Sequence, residues 1–225
     1  ALTGEIRIPV KGWGSMMAFS TSKPVVSSTD VARTWKSTLG DAFDVQQTVR
    51  EENSKLIFDI QATAKADAEI EGIFFMIDLP AEVFAGGRYT LQTSGGNMIG
   101  EFPRELPEKH HLCYGTTPSM TLADPSQKAE VNVEIKPPAA VLIQDGRKWG
   151  RIFSILVHLH NGNLPKGQTF ARQVSFSTHG GVEETSATLT LDANTVRYKI
   201  DGIGGNYCFN IESPVTRYTL DNLKV

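Results

Sequence analysis

Alternation with period two, cut at short intervals by glycine, limits most strongly what this chain can fold into. Ile6, Ile8 and Val10 alternate with Glu5, Arg7 and Pro9, and Val131, Val133 and Ile135 enclose Asn132 and Glu134. Leu56, Phe58, Ile60 and Ala62 share a parity opposite Asp59 and Gln61, and the rhythm returns in Ala187, Leu189 and Leu191 and in Val196, Tyr198 and Ile200. Successive strand side chains point to opposite faces, so each run can bury one face and wet the other. Between the runs stand Ala85-Gly86-Gly87, Ser94-Gly95-Gly96, Asp145-Gly146, Asn161-Gly162-Asn163 and His179-Gly180-Gly181. Such residues accept the backbone angles of tight hairpins. Many short strands separated in this way predict an all-β, antiparallel sandwich.

Two runs depart from strict alternation. Ile73 to Ile77 is apolar throughout and Ile152 to Val157 nearly so, which predicts central strands covered on both faces. Helix is scarce, at most one or two short pieces. The spacing predicts one over Ser28 to Leu39, where Ser28 or Thr29 caps, Gly40 terminates, and Val31, Trp35 and Leu39 recur every four residues. Pro103 to Pro125 lacks a period and reads as a long crossing loop that carries Cys113.

A chain of 225 residues suits one β-domain over 1–225. Its net charge of −3 is spread among mixed signs with no basic stripe, which argues against a nucleic-acid partner. The apolar runs are too short for a membrane-spanning helix. Cys113 and Cys208 admit two readings: a disulfide suited to an oxidising compartment, or two buried thiols. The opening Ala1-Leu2-Thr3-Gly4-Glu5 is similar to the end left by signal-peptide removal, so a secreted or periplasmic protein is expected.

The closing run Tyr218-Thr219-Leu220-Asp221-Asn222-Leu223-Lys224-Val225 resembles the last strand of jelly-roll carbohydrate-binding modules and related concanavalin-like sandwiches. A bulge at Asp221-Asn222 reconciles the two parities of its apolar residues. The resemblance implies a jelly-roll sandwich and a structural Ca2+ between acids of the first and last strands, here Glu5 and Asp221. Calcium takes six to eight oxygens, so further carbonyls or acids must join them.

Three clusters could carry chemistry. His158 and His160 flank Leu159 and share strand parity with Ile152 and Leu156; paired imidazoles can ligate a metal, contact a sugar or do acid–base work, or simply be hydrogen-bonded without a role. The glutamate that a cupin-like metal site needs a few residues on is replaced by Asn161-Gly162-Asn163. Trp13 and Trp149 stand next to glycines, which leaves their rings open for stacking on sugars, whereas Trp35 reads as core. Gly202 to Cys208 is a glycine-rich turn that places Asn206 and Tyr207 but lacks the helix of a phosphate loop. Together these features lead to the expectation of a non-catalytic polysaccharide- or oligosaccharide-binding module, one part of a larger secreted glycan-degrading protein. Trp13 and Trp149 would stack, with hydrogen bonds from His158, His160, Asn206 and Tyr207. The alternatives are a polysaccharide lyase or glycoside hydrolase using His160 and Tyr207, and an accessory domain with no sugar site. Paired carboxylates at glycosidase spacing and a serine-hydrolase elbow are absent.

Overall fold

The computed structural model describes residues 3–179. Within them the alternating runs form thirteen antiparallel strands in one hydrogen-bonded network: β1 (Thr3–Pro9), β2 (Met16–Ala18), β3 (Val25–Ser28), β4 (Ala32–Leu39), β5 (Phe43–Glu52), β6 (Lys55–Ala64), β7 (Gly72–Pro80), β8 (Arg88–Thr93), β9 (Gly96–Glu101), β10 (His111–Ala123), β11 (Glu130–Asp145), β12 (Ile152–Asn161) and β13 (Thr169–His179). Among the described residues, helix is confined to the single turn α1 (Ala81–Phe84) and two three-residue 3-10 turns. The expected all-β sandwich is what forms. The runs over 187–191, 196–200 and 218–225 lie outside the described residues.

The long strand β11 divides the network into two layers. Its residues Val141–Asp145 pair with β12, which continues through β7 and β1 to β2. Its residues Glu130–Lys136 pair with β13, which continues through β6, β5 and β4 to β3. Between these halves the register against β10 jumps from Thr117↔Ala139 to Ser119↔Glu134, so residues 135–138 of β11 stand opposite the single residue Pro118. Pro137 and Pro138 have no N–H to offer a ladder, and the chain passes from one layer to the other there. The far half of β10 pairs with β8, which carries β9.

Phe75, Ile77, Phe153 and Ile155 of the first layer and Phe43, Ile60, Val133 and Val174 of the second are buried in one apolar cluster. Alternation decides this: on β12, Phe153, Ile155, Val157 and Leu159 are all closed from solvent. The two nearly all-apolar runs are the paired central strands β7 and β12, as their composition predicts. Their outward residues Phe74, Met76 and Leu156, joined by Leu142, make a second, smaller cluster on the opposite side of the first layer.

Two expectations are corrected. Ser28 to Leu39 is no helix but a hairpin of β3 and β4. A spacing of four is also two strand periods, so Val31, Trp35 and Leu39 satisfy both geometries. Cross-strand pairing of Trp35 with Gln47 and of Ser37 with Val45 settles the choice. Pro103 to Pro125 is no loop throughout, because it contains the thirteen-residue β10. At Pro118 the inward positions change parity, from Thr117 to Met120 and Leu122. No single period therefore covers the run.

Candidate functional site: an aromatic cleft on the outer face of the first layer

Strand register places outward side chains of the first layer in rows. One row runs Met76, Leu156, Leu142 and Tyr114 across β7, β12, β11 and β10. The next runs Asp78, Ser154, Gln144 and His111 across the same strands. An apolar floor thus lies beside a polar margin. Over it opens a cleft of about 580 Å3, within the range of about 300–1,000 Å3 typical of small-molecule sites.

Trp13 and Trp149 both line this cleft, with half or more of each exposed (50% and 63%). Trp13 projects from the turn after β1, its ring 5.7 Å from that of Phe74. Gly12 and Trp13 have φ of 81° and 58°, and a left-handed backbone at a bulky residue costs about 1 kcal/mol. The turn is held in that conformation from outside. Lys11 N–H donates to the Glu69 carbonyl at 3.0 Å and Gly12 N–H to Glu71 Oε1 at 2.7 Å. The Gly12 bond pulls the Glu71 carboxyl below its ordinary pKa.

Trp149 lies on the opposite side, in the turn between β11 and β12, closed by N–H groups of Trp149 and Gly150 on the Gly146 carbonyl. Arg147 fastens this turn. It binds the fully buried Asp145 carboxylate through Nε and Nη2, and donates to the Arg104 and Glu105 carbonyls at 2.6 and 2.8 Å. The bonds to Asp145 raise the guanidinium pKa. The segment so tied leads to His110, whose ring stands edge-on to Trp149 at 5.3 Å and 90°. His111 follows with its ring 4.6 Å from that of His110. Imidazole is the side chain that exchanges protons near neutral pH.

Arg7 reaches across the floor from β1. Its Nε donates to Glu5 Oε1 at 2.8 Å and its Nη2 to Asp78 Oδ2 at 2.7 Å. Burial opposes the charge on Arg7, but the two carboxylates outweigh it and hold its pKa above the usual value. Burial likewise opposes ionisation of Glu5, and hydrogen bonds from Ser20 and Arg7 outweigh it to lower that carboxyl. The remaining bond of Asp78 is from the Ser154 hydroxyl to Oδ1 at 3.0 Å.

The structure thus brings Trp13 and Trp149 into one cleft, as the glycine-flanked sequence suggests. His158 does not line it: its ring stands edge-on to Phe74 at 4.7 Å, and its Nδ1 is 2.7 Å from Asn161 Oδ1. Burial holds this imidazole below its ordinary pKa, although the Asn161 bond pulls the other way. A register shift between His158 and His160 separates the two rings. His160 stacks on Phe170 at 5.9 Å and 13° and meets the Asn163 carbonyl, so it does not line the cleft. Both oxygens of Glu5 are engaged, by Arg7 and by the Ser20 N–H. Asp221, Asn206, Tyr207 and Cys208 lie outside the described residues. Among the described residues no three His, Cys, Asp or Glu side chains cluster as a metal would require. Sequence reading missed His110, His111, Arg7, Asp78 and Ser154, which share no local motif. The usable signal is the double-faced apolar strand, because a second apolar face needs either a cover or a ligand.

No family model matches the chain, and no curated protein matches it in sequence. Solved structures do match in fold. A GalM/aldose epimerase homologue from C. elegans superposes with a TM-score of 0.53 at 8% identity, over 77% of this chain and 78% of that one. A galactose mutarotase-like protein from Lactobacillus casei superposes with a TM-score of 0.53 at 12% identity, over 78% and 85%. The expectation of a non-catalytic carbohydrate-binding module is corrected by these matches, whose fold is that of proteins named for aldose epimerases and a mutarotase. Alternating strands and glycine turns are common to many β-architectures, so eight terminal residues could not separate one from another. The chain is similar in fold to galactose mutarotase-like β-sandwich proteins.

Proposed function

We propose that this protein catalyses acid–base chemistry on the ring of a neutral aldose bound in the cleft, interconverting its anomers. The observation that carries this reading is the meeting of two exposed tryptophans and two adjacent histidines over one apolar floor. Indole faces and an apolar floor suit the C–H faces of a sugar ring, while a polar margin suits its hydroxyls. The names of the proteins that share the fold support a sugar substrate.

Anomer interconversion needs a group to take the proton of the anomeric hydroxyl and another to protonate the ring oxygen as its bond to the anomeric carbon breaks. Rotation about the freed carbon and reversal of both transfers close the other anomer, with no net gain or loss of protons. His110 and His111 are assigned these two roles, and Trp149 fixes the His110 ring edge-on. Arg7, which lines the cleft, already serves Glu5 and Asp78. His160 lies away from the cleft, so a lyase that relies on it has less support.

The test is exchange between α and β anomer resonances in NMR over a panel of neutral aldoses. Anomer exchange above the spontaneous rate is expected for at least one sugar, falling about 100-fold or more in His110→Ala and His111→Ala. No acceleration with any aldose would overturn the reading.

A further inference from the structure

We infer that Ser154 is a specificity-determining hydrogen-bond acceptor, whose polarity is set from beneath by the Asp78–Arg7 ion pair. The inference rests on the sugar reading above and names the feature of the sugar that is read. Ser154 lines the cleft and is almost fully buried in its floor, 6% exposed, beside Asp78 at 8%. A serine hydroxyl has one proton to donate and two lone pairs to accept with. The carboxylate ion-paired with Arg7 can only accept, so the single Ser154 proton goes to Asp78 Oδ1, 3.0 Å away. Only lone pairs are left for a ligand. The group above Ser154 must therefore donate: a free sugar hydroxyl fits, whereas fluorine, an ether or a carboxylate does not. Asp78 and Arg7 act through Ser154 as positioning residues.

The arrangement makes an unusual prediction. Arg7 can only donate, so in Asp78→Asn the amide oxygen must face Arg7 and the amide N–H2 must face Ser154. The Ser154 hydroxyl then accepts from Asn and turns its proton toward the cleft. The site changes from acceptor to donor.

The experiment measures equilibrium binding by titration calorimetry of the parent aldose, its monodeoxy and monodeoxyfluoro derivatives at each position, and the matching uronate. At one ring position both the deoxy and the fluoro sugar are expected to bind about tenfold or more weakly than the parent, because fluorine accepts but does not donate. Ser154→Ala should remove the distinction at that position, and Ser154→Thr should restore it. Asp78→Asn should raise the affinity of the fluoro sugar above that of the deoxy sugar. Fluoro sugars that match the parent at every position in the unaltered protein, or an unchanged order in Asp78→Asn, would overturn the inference and leave the sugar site standing. Failure of every aldose to bind would overturn both.

Discussion

His158 shows how a single residue couples burial to pH. Its Nε2 is buried without a partner among the described residues, and burial lowers its pKa in the folded protein. Between that lowered value and the unfolded value near 6.5, the unfolded chain binds more protons than the folded one, so stability rises with pH in this window and is lost on acidification. Above about pH 6.5 both states are neutral and the effect vanishes. Urea unfolding at pH 7.5 and 5.5 should show a loss of stability at the lower pH that is smaller in His158→Phe. An equal loss in both proteins would remove His158 as its source. The carboxyls with lowered values, Glu5 among them, act in a separate window below about pH 4.5. The exposure of Trp13 was legible in sequence because its glycine neighbours leave the ring open. The environment of His158 was not, since the rings packed against it, Phe74 and Tyr114, come from other strands.

Elements were legible where one period ran unbroken. β1, β7, β11 and β12 follow from their apolar spacing, whereas β4 was ambiguous at a four-residue repeat and β10 changes phase at Pro118. The turn from β11 to β12 illustrates what pattern alone misses. Asp145-Gly146 announces a turn, but the hold that Arg147 exerts on residues 104 and 105 is set by chain segments more than forty positions away. Truncating Arg147 leaves a fully buried carboxylate without its charge partner, a change that typically costs about 3 kcal/mol. Arg147→Ala should therefore unfold at lower denaturant and weaken sugar binding, because the Trp149 turn and His110 lose their common anchor. Loss of stability below about 1 kcal/mol would show that the clamp matters little. Arg147→Lys restores charge but not the bidentate fork, and should recover part of the stability.

At the scale of the whole molecule, β11 belongs to both layers and the main core draws on both, which ties their stabilities together. Trp13 and Trp149 report on the first layer and Trp35 on the second. Fluorescence unfolding of a Trp35→Phe variant and of a Trp13→Phe, Trp149→Phe double variant should follow its own far-UV transition in each case. Two separate midpoints within either protein would show that the layers unfold independently. The sequence by itself determined the class of the fold: short alternating runs can bury only one face each, which requires a partner layer, and glycine turns keep the connections short. It also marked two tryptophans as open and two central strands as apolar on both sides. Tertiary structure alone decided that those features meet. Strand order and register bring Arg7, Asp78, Ser154 and His111 to one face of the sheet from four strands, and residues so far apart along the chain share no local pattern that could announce it.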